Sequence, residues 1–68
     1  MSSYHYHQTD AIHALQSAGK AISNALTHAG SANTFHFAIW EANLALRKLA
    51  LAQMKLMQAK SEHEVKVL

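Results

Sequence analysis

Histidine is the residue type in this chain with the most capacity for chemistry, and its six copies raise the hypothesis of a metal site. His5 and His7 form a closely spaced pair between two tyrosines, but no third ligand follows nearby in the sequence. The other four lie on or beside expected helices without the i, i+4 pairing that helical metal sites use. The sequence therefore predicts no metal and no other cofactor, and the His5–His7 pair is the best candidate if a metal binds.

Carboxylates and nucleophiles likewise suggest no active site. Glu62 and Glu64 flank His63, but successive helical positions diverge by about 100° and do not share a face. Asp10 and Glu41 are interpreted as first-turn or surface charges. The chain has no glycine-rich phosphate loop and no cysteine, and 68 residues leave no room for a pocket-sized core. We expect a protein that is not an enzyme.

The composition favours helices and self-association. Half of the residues are hydrophobic, many of them alanine, and there is no proline. A folded unit of this size buries only about 60% of the surface of its unfolded chain, so small domains usually need disulfides, a metal or a partner. Without cysteine, disulfides are excluded. The net charge of +2 is carried by basic residues spread along the chain, which predicts no nucleic-acid partner.

The apolar spacing predicts an all-α, antiparallel two-helix hairpin. Residues 1–8 have no periodicity and are predicted to form a flexible N-terminal arm. Apolar residues then recur every three or four positions over residues 10–29, and again over a longer helix covering residues 35–68. The turn over residues 30–34 contains Gly30, expected to end the first helix in the left-handed conformation, and then Asn33 and Thr34, either of which is expected to cap the second.

The expected core of the hairpin combines the large apolar residues of both helices with alanines. In the second helix an apolar seam is predicted at residues 35, 38, 42, 45, 49, 52, 56 and 59. Its alanines would let the partner backbone approach closely. The predicted intrachain core is Ile12, Leu15, Ile22, Leu26, Phe35, Ala42 and Leu49.

Two features predict contacts with further copies. A first helix of about 20 residues spans roughly 30 Å and would cover the second helix only to about Met54, which leaves an apolar end at residues 55–68. A second apolar stripe of α-helical spacing runs opposite the predicted seam, where a hairpin has no use for it. The predicted subunit interface is Phe37, Trp40, Leu44, Leu51, Met54, Leu56, Val65, Val67 and Leu68. Two unlike sticky surfaces favour rings or open helical filaments over closed dimers.

No segment indicates a membrane span or a cleaved signal peptide. Residues 1–8 lack both a basic and an apolar region of the signal type. Glu41, Arg47 and Lys48 interrupt the longest apolar window. The expectation is a chain that is made in the cytoplasm without stable membrane insertion, with export by a route that needs no cleaved signal left open.

Residues 51–68, LAQMKLMQAKSEHEVKVL, resemble the C-terminal helix of the needle and pilus subunits of bacterial type III secretion systems. Residues 65–68 occupy the family's segment of Val-Lys-Val-Ile type. The resemblance implies a secreted subunit at the bacterial cell surface that stacks into a hollow helical tube, with the C-terminal helix lining the lumen. It also implies secretion-system components and chaperones as partners. Gly30–Asn33 replaces the proline-containing turn of animal-pathogen needles, so needle and plant-associated pilus subunits both stay open.

Two other functions remain open on the sequence alone. Arg47, Lys48, Lys55 and Lys60 on a helix that carries Trp40 would suit a basic amphipathic, bacteriocin-like peptide that acts on membranes. A filamentous coat subunit, or a DNA-coating subunit, would also be helical and polymeric.

Overall fold

The computed structural model describes the backbone of residues 4–67 and the side chains of residues 4–65. Helix α1 spans Tyr4–Ala29 and helix α2 spans Phe35–Val67, with a short 3-10 turn between them over Ala32–Thr34. No strand occurs within this part of the chain. The predicted all-helical architecture with two helices is confirmed.

Contacts at the two ends of the molecule make this pair an antiparallel hairpin. Next to the turn, the rings of His28 and Phe37 lie 5.3 Å apart between centroids. At the far end, the ring of Tyr4 lies 5.2 Å from that of His63 in an edge-on arrangement. The first residues of α1 therefore lie beside the last part of α2.

Helix α1 begins earlier than the sequence predicted. Its first residue is Tyr4 rather than residue 10, so the predicted arm is wrong for residues 4–8, which are helical. Residues 1–3 lie outside the described part. The physical reason is that Tyr4 and His7 continue the three- and four-residue spacing of the side chains that pack on α2, and both contact the end of α2. The aromatic and histidine side chains hide this spacing in the sequence.

The turn closes without a left-handed residue. No described residue has a positive φ, Gly30 included, so the predicted left-handed helix end is wrong. The N–H of Gly30 instead donates to the carbonyl of Thr27 at 3.4 Å, and the N–H of Ser31 donates to that of His28 at 3.3 Å. Thr34, which was expected to cap α2, donates its hydroxyl to the His28 carbonyl at 2.8 Å. The His28 carbonyl at the end of α1 therefore accepts from two donors, the Ser31 N–H and the Thr34 hydroxyl.

The interface between the helices consists of alanine. Every residue that is buried within the described side chains is an alanine, and none is more than 8% exposed. Side chains this small let two helix backbones pack closely, with little room for anything larger between them. We call this set the alanine seam: Ala11, Ala14, Ala18 and Ala21 of α1, and Ala45, Ala52 and Ala59 of α2.

The predicted core is therefore wrong. Its seven members are all exposed, and the six larger ones range from 40% for Leu49 to 76% for Leu26: Ile12, Leu15, Ile22, Leu26, Phe35, Ala42 and Leu49. The sequence prediction placed Ala45, Ala52 and Ala59 in the seam correctly. Between them, however, it assigned the seam to apolar residues that lie one position beyond the true seam positions.

Charged residues occupy those intervening positions in α2. They are half-buried, and they complete the alternating spacing of the alanines: Glu41, Lys48, Lys55 and Glu62. Long charged side chains cover apolar surface with their methylene groups while their ends stay in water, which explains how they border a seam of alanines. The larger apolar residues lie one position further along and are displaced to the outside.

Helix α1 also covers more of α2 than was predicted. The expectation that the end of α2 beyond Met54 would lack a partner within the chain is wrong as far as His63, because Ala59 is buried and Lys55 Nζ lies 3.7 Å from Asp10 Oδ2. Val65 is exposed, and the side chains of residues 66–68 lie outside the described part. The earlier start of α1 accounts for the difference. The apolar end of α2 is thus not by itself a reason to expect a second molecule.

The hairpin is a thin rod with an unusually large surface. Its Cα extents are 54 × 15 × 11 Å and its radius of gyration is 15.6 Å, against about 11 Å for a compact chain of this length. The accessible surface is 5091 Å², against about 4,200 Å² for a compact protein of 7.5 kDa. A single hairpin therefore leaves much of its apolar surface in water.

Candidate interaction surfaces

One broad side of the hairpin is apolar on both helices. The residues that directly follow each seam position lie on this side, and an open groove of about 370 Å³ between Leu15 of α1 and Leu49 and Leu56 of α2 confirms that the two helices contribute to the same surface. We call it the leucine face. Its large members, 40% to 76% exposed, are Ile12, Leu15, Ile22, Leu26, Ile39, Leu46, Leu49 and Leu56.

The opposite broad side carries the apolar stripe that the sequence predicted in α2. We call it the tryptophan stripe: Phe37, Trp40, Leu44, Leu51 and Met54. Trp40 is 62% exposed, whereas Leu44 is half-buried. The stripe was expected opposite the seam. At its turn end it reaches α1, since Phe37 contacts His28, whereas Trp40 shares a groove with Ile39 and Leu46 on the outer side of α2.

Polar residues of α1 accompany the tryptophan stripe on that side. Asp10, which pairs with Lys55 at 3.7 Å, belongs to this polar row, and Arg47 interrupts the stripe itself. The rest of the row precedes each seam position in α1 and is exposed or half-buried: His13, Ser17, Lys20, Asn24 and Thr27. The two broad sides therefore differ in chemistry, because only the leucine face is apolar on both helices.

The predicted subunit interface is exposed where it is described, apart from half-buried Leu44. Its members fall on different surfaces, with Leu56 on the leucine face and Val65, 69% exposed, near the end of α2. The side chain of Val67 and all of Leu68 lie outside the described part. Whether a second molecule covers these residues stays a prediction.

The basic residues that would suit a membrane-active peptide do not lie on one surface. Lys48 and Lys55 are half-buried beside the alanine seam, while Arg47 and Lys60 are exposed. Lys60 lies 3.5 Å from Glu64, one turn further along α2.

The open end of the hairpin gathers the aromatic and titratable side chains that suggested chemistry. His7 Nε2 lies 2.9 Å from Glu62 Oε1, and Nδ1 of the same ring is buried without a hydrogen-bond partner in the described part. His5 packs its ring 4.1 Å from that of Tyr4. No three His, Asp or Glu side chains among the described residues are grouped so that they could hold a metal ion. These contacts join the helix ends, and we assign them a structural role.

Neither α1 nor the described part of α2 is long and apolar enough to cross a bilayer. No protein family, curated protein or solved structure matches this chain in sequence or fold comparisons. The leucine face and the tryptophan stripe are therefore the structural features that bear on function. The resemblance to secretion needles covers residues 51–68 alone.

The leucine face is the surface that sequence reasoning missed. Its residues were identified as apolar and helical, but the largest of them were placed inside the hairpin. The available signal was the alanines at residues 11, 14, 18 and 21, which form an unbroken three- and four-residue spacing of their own. An alanine row of that length beside a row of Ile and Leu indicates a close helix pair with the larger residues outside.

Proposed function

We propose that this protein is a structural subunit that works as an assembly of identical copies. The observation that carries the proposal is the inversion of its packing, in which alanines are inside the hairpin and the large apolar residues are outside. Burying each Leu or Ile side chain contributes about 1.5–3 kcal/mol, and a lone hairpin forgoes most of that. Association of copies can bury the apolar side chains on both broad sides and so recover this free energy.

The narrower proposal is a secreted subunit of an extracellular needle or pilus that serves protein secretion. Two apolar surfaces on opposite sides of one rod support it, because a subunit with contacts on both sides can extend into a helical filament. The likeness of residues 51–68 to needle subunits supports it independently. Secretion-system components and chaperones would then be further partners.

A second candidate is a protein that lies on membranes through its leucine face. The specific observation in its favour is the absence of charge on that face between Ile12 and Leu56, since interfacial helices bury such a side in lipid. The basic residues give it little support, because Lys48 and Lys55 border the alanine seam, whereas Lys60 lines the groove of the apolar face.

Sedimentation and negative-stain microscopy of the full chain test these proposals. We expect concentration-dependent oligomers, and for the narrower proposal filaments, in buffer without lipid. A stable, fully helical monomer at high protein concentration would contradict the structural function. Leakage of lipid vesicles by a chain that stays monomeric in buffer would support the membrane candidate. Large oligomers without a tubular form would retain the structural function and remove the needle.

A further inference from the structure

The geometry points to the leucine face as a surface on which two copies of this chain pair face to face, giving a four-helix unit with an isoleucine and leucine core. This inference rests on the proposed self-association. It specifies that the leucine face makes the first contact and that a second leucine face is its partner. The paired helices would resemble the antiparallel packing of other four-helix bundles.

The chemistry of the two broad sides identifies the occupant. Among the described side chains a second leucine face carries a charge only toward its open end, where Lys60 lines the groove beside Leu56. Joining two such faces removes apolar surface from water, while the exposed Lys60 amine can stay in solvent. Joining a leucine face to the tryptophan side would instead cover Asp10, Lys20 and Arg47 with apolar side chains. Burying charged groups in that way costs free energy that the contact does not return. Like-to-like pairing is therefore preferred.

The size of the face suits a stable dimer. Its large side chains are between 40% and 76% exposed and extend along α1 from Ile12 to Leu26 and along α2 from Ile39 to Leu56. Together they offer an area on the order of the ~800 Å² that each partner buries in an interface of standard size. Gln53 adds a polar group in the wall of the groove beside Leu49, and Lys60 lines the same groove.

Gly19 provides an independent observation at the centre of the face. It lies between Leu15 and Ile22 in the row that follows the seam of α1, and a glycine inside a helix costs about 1 kcal/mol relative to alanine. Nothing in the described part of the hairpin requires it, since its φ is not positive and a Cβ there would meet no described atom within 4 Å. A glycine that the hairpin does not need allows close approach by another molecule.

Pairing through the leucine face leaves both tryptophan stripes on the outside of the four-helix unit. They face away from each other on opposite sides. Contacts between such units would use these outer sides and alternate with the leucine-face contacts. Because the outer sides carry Asp10, Lys20 and Arg47, we expect these second contacts to be weaker. A filament would then be built from two alternating like-to-like contacts, where the sequence had suggested one contact between unlike surfaces.

Leu49 and Leu51 offer a matched pair of variants for the test. Both are leucines of α2, 40% and 39% exposed, but Leu49 lies on the leucine face and Leu51 in the tryptophan stripe. Glutamine has nearly the same helix propensity as leucine, so Leu49→Gln and Leu51→Gln differ mainly in the surface that they change. Analytical ultracentrifugation of the full chain measures association, and circular dichroism measures helicity.

We expect Leu49→Gln to raise the dimer dissociation constant by about tenfold or more, and Leu51→Gln to leave the dimer intact. If wild type and Leu49→Gln dimerise equally, this inference is overturned while self-association stands. If wild type itself stays monomeric, the proposed function fails first. A monomeric chain whose binding to phosphatidylglycerol vesicles is lost in Leu49→Gln would assign the face to lipid and overturn the pairing.

Gly19 gives a second test that poor folding cannot explain. Gly19→Ala and Gly19→Leu both raise helix propensity, so both hairpins should be at least as helical as wild type. We expect Gly19→Leu to weaken the dimer by about tenfold or more, because its side chain blocks the close approach. An unchanged or tighter dimer in Gly19→Leu would mean that the face associates by hydrophobicity without a fitted partner, and would overturn the assignment of Gly19.

Discussion

The hydroxyl of Thr34, at the entrance to α2, donates a 2.8 Å hydrogen bond to the carbonyl of His28 in the last turn of α1. This bond ties the end of one helix to the start of the next across a turn that has no left-handed glycine. The side-chain bond therefore adds to the backbone bonds that close the turn, which join Gly30 to Thr27, Ser31 to His28 and Thr34 to Ser31.

Thr34→Val should destabilise the hairpin by about 0.5–1.5 kcal/mol, since it removes the hydroxyl that bonds the carbonyls of His28 and Ser31, although the Ser31 N–H still pairs with the His28 carbonyl. Urea unfolding followed by circular dichroism at one fixed concentration measures the effect. Thr27→Val is the matched control, because the Thr27 hydroxyl donates at 3.1 Å to the carbonyl of Ser23 on an exposed helix surface. The prediction is wrong if both variants lose the same stability.

Enlarging the alanine seam should open the hairpin. Ala18 is 1% exposed, so Ala18→Leu inserts a side chain where the two backbones leave little room, at a cost of about 1–3 kcal/mol. Ser17→Leu adds the same side chain one position earlier, on the exposed polar row, and should leave unfolding close to wild type. A hairpin that accepts leucine equally well at both positions would contradict close packing at the seam. Urea unfolding at matched concentrations distinguishes the two outcomes.

Tryptophan fluorescence should separate the stages of assembly. Trp40 is the only tryptophan of the chain and is 62% exposed in the hairpin. Pairing through the leucine face covers it at most in part, because Trp40 shares a groove with Ile39 and Leu46. Its emission should therefore shift only slightly in the dimer and move fully to shorter wavelength when larger assemblies cover the stripe. A full shift that accompanies dimer formation itself would place the first contact on the tryptophan stripe.

The ion pair between Asp10 and Lys55 should contribute little to stability. Their charged atoms are 3.7 Å apart, and more than half of the Asp10 side chain is exposed. Exposed pairs of this kind are worth at most about 1 kcal/mol. Asp10→Asn is therefore expected to change the unfolding midpoint only slightly at low salt and not at all at high salt. A large loss that persists at high salt would assign Asp10 a role beyond the pair.

Periodicity predicted the helices well and their packing poorly. The second helix begins at Phe35 as expected, and the seam positions Ala45, Ala52 and Ala59 were predicted. The rest of the core was not predicted, because hydrophobicity ranks leucine above alanine. In the actual seam, the short distance between the helices determines which side chain fits, and it favours alanine, the smallest. Charges at the alternate seam positions of α2 further concealed the pattern.

The open end could not be predicted from α1 alone. Tyr4 and His7 do not belong to a regular spacing of apolar residues in the sequence around them. Their helical state depends on contacts with His63 and Glu62, which follow more than fifty residues later. Likewise, sequence alone did not reveal two broad sides with different chemistry. That distinction requires the register between the helices, which only contacts such as Asp10–Lys55 define.

The antiparallel alanine seam also sets the order in which the hairpin can close. Each layer outward from the turn joins residues further apart in the chain, from roughly 10 residues at the His28 end to about 50 at His7. Once one layer has formed, the next layer closes only a short additional loop. Closure from the turn outward therefore avoids the entropy cost of closing a long loop. Amide hydrogen exchange should then be graded along the rod. Protection would be lowest at the end that Tyr4 and His63 share, where opening breaks the fewest layers.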